Sequence, residues 1–564
     1  MDEHQHIKNR LEPVISEITD WPIYKLSQDR ESFLEEAISK TIDNLLQSYS
    51  NAAVLHSELK SVLYQEKNRL TKEPWKSDTP EERIFWSEIK RQILLTDKLD
   101  EEKKQFKQDK KILRSILEYY SLEIVANFEP GKYNIARRIL PFLFSRLMNA
   151  SPGKKLKFLF GSKQTIYDKF NITGPIDHIR NLSKKGTVII VPTHFSNIDS
   201  PTIGLIIDII GLPAMTYGAG INLFTIGILS RWLNDLGAYK LDRRRKNKPY
   251  LELLKNYSTV AISRGAHSLF FPGGTRSRSG QIEKKLKLGL LGTALEAQRQ
   301  NLLKFHKDTA KKVYIVPVVL NYHFVMEASS LIRQHLAYEG KEQFIPEKDD
   351  FSTSYKLLKL IFKVITANPG MTVSFSSPMD VVGNEVDFEG NSINNIGQNV
   401  DIKDYFTLAG KMKEDKQRDN VYTSILGEKI VEKFLTANTV LSSHLVSFVA
   451  FELIQKEFKN LDIYQLLRVP VDEIEINVEE FKVKLNTIKE KIIDLYAEGK
   501  LRVHDRIKGD NDEIIKHGLK NLGVYHPSLP LLKNANGNII TQDLKVLYFY
   551  RNRLMGYGLE QHFK

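Results

Sequence analysis

Cysteine is absent from the 564-residue chain, which excludes disulfides, thiolate metal sites, a cysteine nucleophile and any covalent thioester intermediate on the chain itself. Also missing are a Gly-x-Ser-x-Gly elbow, a His-Glu-x-x-His zinc motif and a Walker phosphate loop, so hydrolase, metallopeptidase and nucleotide-hydrolase chemistries lack their usual marks. The opening MDEHQHIKNRLEP has no apolar run leading to a small-residue cleavage site, and a cytoplasmic location is the expectation. His4 and His6 within it read as incidental, and no metal is expected. Long apolar runs are scarce. The one extended stretch, residues 201–230, carries Asp208 as its sole charge but is broken by Gly211, Pro213, Gly218 and Gly220. A spanning helix needs about 20 apolar residues free of such breakers, so buried core segments are expected here.

What is present is a globular balance of 41% hydrophobic and 27% charged residues, with a length that suits roughly two to four folding units. The formal charge of +13 and pI of about 9.2 call for an anionic partner: nucleic acid, acidic lipid or a phosphorylated substrate. Richness in lysine, isoleucine and asparagine fits a bacterial source. No internal repeat is evident.

Texture along the chain divides it. Residues 1–130 carry helical apolar spacing in segments such as FLEEAISKTIDNLLQSYS, with Pro74 and Asp78 to Pro80 marking loops, and predict a helical accessory region. Residues 131–160 combine NIARRILPFLFSRLM with Lys154, Lys155 and Lys157, a pattern that suits a helix lying on anionic lipid or one packed on the next domain with its arginines exposed. Residues 161–388 alternate β-rich runs (TVIIVPT, SLFFPG, VYIVPVVLNY, MTVSFSSP) with helical patterns, predicting an α/β domain with a largely parallel central sheet flanked by helices. Residues 389–403, rich in Asn and Gly, read as a linker, and 404–564 as a mainly helical C-terminal domain.

The chemistry concentrates at strand ends. TVIIVPT runs into His194-Phe-Ser-Asn-Ile-Asp199, then Ser200 as helix N-cap and Pro201 as first helical residue. A histidine held by a carboxylate is a good base near neutral pH, although five-residue spacing alone arises often by chance. After SLFF comes Phe271-Pro272-Gly273-Gly274-Thr275-Arg276-Ser277-Arg278-Ser279-Gly280, where glycine N–H groups, hydroxyls and guanidinium forks could cradle a phosphate. Between them lies LGAYKLDRRRKNK, in which Arg243 follows Asp242; a solvated charge run is the plainer reading, but the location favours a role at the same site.

These pieces, in this order, resemble the glycerolipid acyltransferase superfamily, whose histidine-four-residues-aspartate motif is matched by His194 and Asp199. GINLFTIGILSRWLNDLGAYKLDR, FFPGGTRSRSG and VYIVPVVLNY look like that family's following blocks, so the likeness spans about 190–325. GTRSRSG followed by Lys287 and Gly289, with LYFYRNRLMGYGL near the end, is most similar to glycerol-3-phosphate acyltransferases. The resemblance implies His194 as general base and Asp199 as its orienting partner. It implies Arg243, Gly274, Thr275, Arg276, Ser277, Arg278 and Lys287 at the acceptor phosphate, and Phe271, Pro272, Gly273 and Pro317 lining the acyl and acceptor pocket. Backbone donors at Gly273-Gly274 are candidates for the oxyanion.

One departure stands out: where the family carries a glutamate after Phe-Pro, this chain has Gly273. The implied reaction transfers an acyl group from acyl-CoA or acyl carrier protein to the sn-1 hydroxyl of glycerol 3-phosphate, with no cofactor beyond that thioester, at an anionic membrane surface on the cytoplasmic face of the cell membrane. Lysophosphatidate as acceptor is the alternative. A membrane-surface scaffold without catalysis remains a third reading. A nucleic-acid binder is a fourth, disfavoured because the arginines gather at one small-anion site and not along a stripe with stacking aromatics.

Overall fold

The computed structural model describes residues 7, 10–49, 51–72, 74–75, 78–148, 170–221, 224, 227–304, 310–338, 370–408, 410–523 and 526–563. Its centre is a seven-stranded sheet of β1 (Phe170–Thr173), β2 (Thr187–Pro192), β3 (Thr216–Gly220), β4 (Ala238–Leu241), β5 (Ser268–Leu269), β6 (Val313–Asn321) and β7 (Met371–Phe375), ordered β1-β7-β6-β2-β5-β3-β4. Every neighbouring pair is parallel except β6 with β7. The fold is therefore mixed α/β with a mostly parallel sheet, as the alternation of strand and helix patterns predicted. TVIIVP in β2 and VYIVPVVLN in β6 are buried at every position, because parallel strands covered on both faces read as continuous apolar runs.

Helices α1 (Pro22–Gln28), α2 (Arg30–Ser48), α3 (Ala52–Lys72), α4 (Pro80–Thr96) and α5 (Glu102–Ile124) form the expected helical region. The Thr79 side chain caps α4 by accepting the Glu82 N–H, and Pro80 opens that helix. α6 (Pro130–Met148) covers the basic amphipathic segment; residues 149–169, including Lys154, Lys155 and Lys157, lie outside the described residues. The apolar stretch from 201 onward divides among α8 (Asp199–Ile209, after α7 at Ile176–Lys185), β3 and α9 (Gly227–Asp235), and Ile203, Ile206, Ile210 and Leu212 are buried. No helix among the described residues is long and apolar enough to cross a membrane.

Two apolar cores meet at α10 (Lys248–Ser263). The N-terminal helices bury Phe33, Leu113, Leu117 and Tyr120 against Tyr250, Leu253 and Tyr257 of α10. The larger core fills the sheet and continues into the C-terminal helices Lys416–Ala437, Ser442–Glu457 and Val478–Ala497 without a break. The expected linker at 389–403 is a folded connection. It holds the short strands Ser392–Ile393 and Asn399–Val400 of a three-stranded antiparallel sheet, and Ile402 joins the large core. Its Asn and Gly residues build tight turns: Asp387 accepts the Asn391 N–H, Asn394 accepts the Gln398 N–H, and Gly390 and Gly397 supply φ of 88° and 79°.

The Arg-Arg-Arg run fastens the first core to the sheet. Arg245 is buried and donates to Glu82 at 2.8 Å and Glu123 at 2.6 Å, while Arg244 bridges Asp78 and Asp242. Removing one partner of a buried pair leaves uncompensated charge, which costs about 3–5 kcal/mol. Arg245→Ala should lower the unfolding free energy by at least ~3 kcal/mol in denaturant titration; a loss under ~1 kcal/mol would place that network outside the stability of the fold.

Buried histidines set the acid limit. Burial pushes His267 down to about 4, and its Nδ1 accepts the Val188 N–H of β2 at 3.0 Å, so protonation breaks a bond to the central strand. The folded value lies below the ordinary 6.5, so the unfolded chain binds more protons between these values, and stability present above 6.5 is lost as pH falls toward about 4. This single group contributes a loss of ~3 kcal/mol over that window. Urea midpoints should fall across it; a flat profile would contradict the buried neutral ring.

Candidate active site

The neighbouring parallel strands β6, β2 and β5 end on one edge of the sheet, and their exit loops carry the polar groups, as is general for open parallel sheets. After β2 the chain turns at Thr193 and enters α8 at Asp199, so Ser200 and Pro201, expected as cap and first residue, sit inside the first turn. The Asp199 side chain accepts the N–H groups of the turn that precedes the helix.

Within this turn His194 Nδ1 lies 2.8 Å from Asp199 Oδ2, which also accepts the N–H groups of Phe195 at 2.6 Å and Ser196 at 2.8 Å. Tyr322, the residue after β6, donates its hydroxyl to Oδ1 at 2.5 Å. Asp199 is 0% exposed, and these four donors offset the desolvation of its carboxylate. With Nδ1–H given to Asp199, Nε2 of His194 is the accepting nitrogen. The imidazole stacks on Phe271 from the loop after β5, with ring centroids 4.2 Å apart.

The loop after β5 differs from the expected cradle. Gly274 has φ of 76° and donates its N–H to Phe271 O, and Pro272 O accepts from Lys287 N. Ser277 gives its N–H to His194 O at 2.7 Å and its hydroxyl to Gln281 O. The Gly274 N–H and the Ser277 hydroxyl are thus spent inside the loop and the Ser277 N–H on the turn after β2, so the Gly274 N–H is already engaged. The positive charge at this edge is carried by side chains. Arg276 is half-buried, and Arg243 stands close enough that desolvation first, and the like charge of Arg276 second, lower its pKa. Thr275, Arg278 and Lys287 lie exposed on the rim. Pro317, expected with the pocket, is buried in the middle of β6 opposite Val191.

Several residues at the site were missed in the sequence. Buried Glu327 accepts from Ser196 Oγ, Asn197 N and, at 3.3 Å, Arg276 Nη1. Glu283 Oε1 accepts the His194 N–H at 3.0 Å. Arg553 lies 3.7 Å from the Phe195 ring centroid and bonds Asn321 and Leu320 O at the end of β6, while Asn552 donates to Ser279 O. The LYFYRNRLMGYGL segment thus packs against the site through Asn552 and Arg553. Tyr322 had a legible signal, being the first residue past a buried strand. Glu283 and Glu327 sit in segments that read as ordinary surface.

Residues 175–321 match the family model described as Acyltransferase, so that stretch is similar to acyltransferase domains. Over 249 residues it is 28% identical to the glycerol-3-phosphate acyltransferase of Pseudoalteromonas atlantica, spanning 43% of this chain and 27% of that one. Over 226 residues it is 25% identical to the protein of the same description from Alteromonas mediterranea, spanning 40% and 24%. The chain spans about a quarter of the length of these curated relatives. Among solved structures, the 1-acyl-sn-glycerophosphate acyltransferase of Thermotoga maritima aligns with 68% of this chain and 96% of its own, at 12% identity and a TM-score of 0.25, too low for an argument from superposition.

Tyr322→Phe keeps the ring and removes one donor to a buried carboxylate. The unfolding free energy should fall by ~1–3 kcal/mol, measured by denaturant titration, and a change inside ~0.5 kcal/mol would mean that Tyr322 does not carry Asp199 Oδ1.

Proposed function

We propose that this chain is a glycerol-3-phosphate O-acyltransferase, passing a fatty acyl group from an acyl thioester to the sn-1 hydroxyl and giving lysophosphatidic acid. The observation that carries the reading is a buried, four-donor carboxylate fixing a histidine in a turn to which Glu327 also ties Arg276, at one sheet edge. The names of the two relatives support the same acceptor.

Arg276 and Arg243 hold the acceptor phosphate, with Arg278 and Lys287 on the rim adding positive field, and this presents the hydroxyl to His194. Holding both reactants turns a bimolecular attack into a local one. Nε2 takes the hydroxyl proton as oxygen attacks the thioester carbonyl. The tetrahedral adduct collapses with cleavage of the C–S bond, and the imidazolium returns the proton to the departing sulfur. Asp199 stabilises the imidazolium and holds the ring's tautomer. The thioester is borne by coenzyme A or an acyl carrier protein, and the enzyme works at an anionic membrane face on the cytoplasmic side. α6 supports that location, because it exposes Ile135 and Ile139 alongside Arg138.

Offered glycerol 3-phosphate and 1-acylglycerol 3-phosphate with one acyl thioester, the purified protein should acylate the first; exclusive use of the second assigns it to the next acylation. His194→Ala should reduce kcat by ~10²–10⁴-fold in a folded protein, and full turnover would remove the base. Arg276→Ala should raise the acceptor KM most strongly, and an unchanged KM would take it out of the phosphate site.

A further inference from the structure

Gly273 and Glu283 are linked. The backbone at Gly273 is not left-handed, so its lack of a side chain is a matter of space: a Cβ there would meet Glu283 Cγ at 3.0 Å and Oε1 at 3.1 Å. That Oε1 is the oxygen that accepts the main-chain N–H of His194. Glu283 Oε2 is buried without a hydrogen-bond partner among the described residues, and so is Nη1 of Arg553. Burial raises the Glu283 pKa and lowers that of Arg553 to about 10, while each group's charge opposes the other's shift. A carboxylate from the loop after β5 and a cation from the C-terminal segment thus converge behind the catalytic turn, one on the His194 backbone and one on the Phe195 ring.

We propose that Glu283 is a positioning residue for His194, holding its main-chain N–H from the loop after β5, and that Gly273 is glycine because Glu283 occupies the space beside it. This rests on the reading of His194 as the base. Glu283 touches neither acceptor nor thioester in this scheme; it fixes the backbone from which the imidazole projects. A displacement of about 1 Å at such a point costs up to about a hundred-fold in rate. Its loss should therefore appear in kcat and leave acceptor affinity nearly unchanged.

The test relocates the carboxylate. Glu283→Ala should lower kcat about ten- to a hundred-fold, with the acceptor KM altered less than about two-fold. Gly273→Glu combined with Glu283→Ala should recover at least about ten-fold of that loss, because the vacated space admits a side chain at 273. Folding is monitored by thermal unfolding of each variant. Wild-type kcat in Glu283→Ala overturns the proposal, and so does a folded double variant no better than the single one. If Glu283→Ala does not fold, the double variant decides alone: folded and active supports the proposal, unfolded or inactive overturns it.

A readout independent of the reaction is the rate of diethyl pyrocarbonate modification of His194, followed on its peptide by mass spectrometry. The rate should change in Glu283→Ala and return toward wild type in the double variant; an unchanged rate in Glu283→Ala overturns the proposal. A wild-type protein that acylates no glycerol-phosphate acceptor counts against the functional reading alone, and the modification rate still decides the role of Glu283.

Discussion

The site depends on one buried carboxylate. Asp199 has no exposure to solvent, and an isolated ionised carboxylate in such a place would cost far more than any local packing returns. It is tolerated because donors reach it from two strand ends: His194, Phe195 and Ser196 from the turn after β2, and Tyr322 from the end of β6. That convergence requires the β2–β6 register, in which Val191 faces Pro317 and Pro192 faces Val318. A slip of one residue would turn Tyr322 away from the carboxylate. The His194–Asp199 pair is therefore a property of the sheet as much as of the histidine-four-residues-aspartate spacing.

The chain's outer parts act on the same small volume. The N-terminal helices anchor Arg244 and Arg245 through buried acidic partners, and the neighbouring Arg243 is left where the charge of Arg276 reaches it. From the other end of the chain, Arg553, Asn552 and Tyr550 bond the exits of β6 and β5. Glu327 ties Arg276 to the turn after β2 by accepting from both. Arg276 is thus oriented by a buried carboxylate, so less ordering of that side chain would remain for any anion bound there.

Much of this was legible in the sequence. The β-rich runs became β2, β6 and β7, the glycines and proline in 201–230 split that stretch among helix and strand, and His194, Asp199, Phe271 and Arg276 came together as their positions at strand ends implied. Other features were out of reach because their meaning lies in contacts between distant segments. Glu283 sits in QIEKKLK, indistinguishable from a solvated charge run, until the fold puts it against Gly273. Ser277 has the composition of a phosphate ligand, but its hydroxyl is spent on Gln281 O. Asn-Gly richness at 389–400 signals turns equally well in a linker or in hairpins, and only the packing of Ile402 and Phe406 on the main core separates the two.

The central claim is that Asp199 holds His194 with Nδ1 protonated and Nε2 free to take a proton from a phosphate-bearing acceptor. Long-range proton–nitrogen correlation spectra of protein labelled at the histidine ring nitrogens, assigned with a His194→Gln variant, report that tautomer directly at alkaline pH. The account predicts a protonated Nδ1 and an unprotonated Nε2, with both signals shifting when glycerol 3-phosphate is added. A His194 ring protonated at Nε2, or one indifferent to the acceptor, would contradict it.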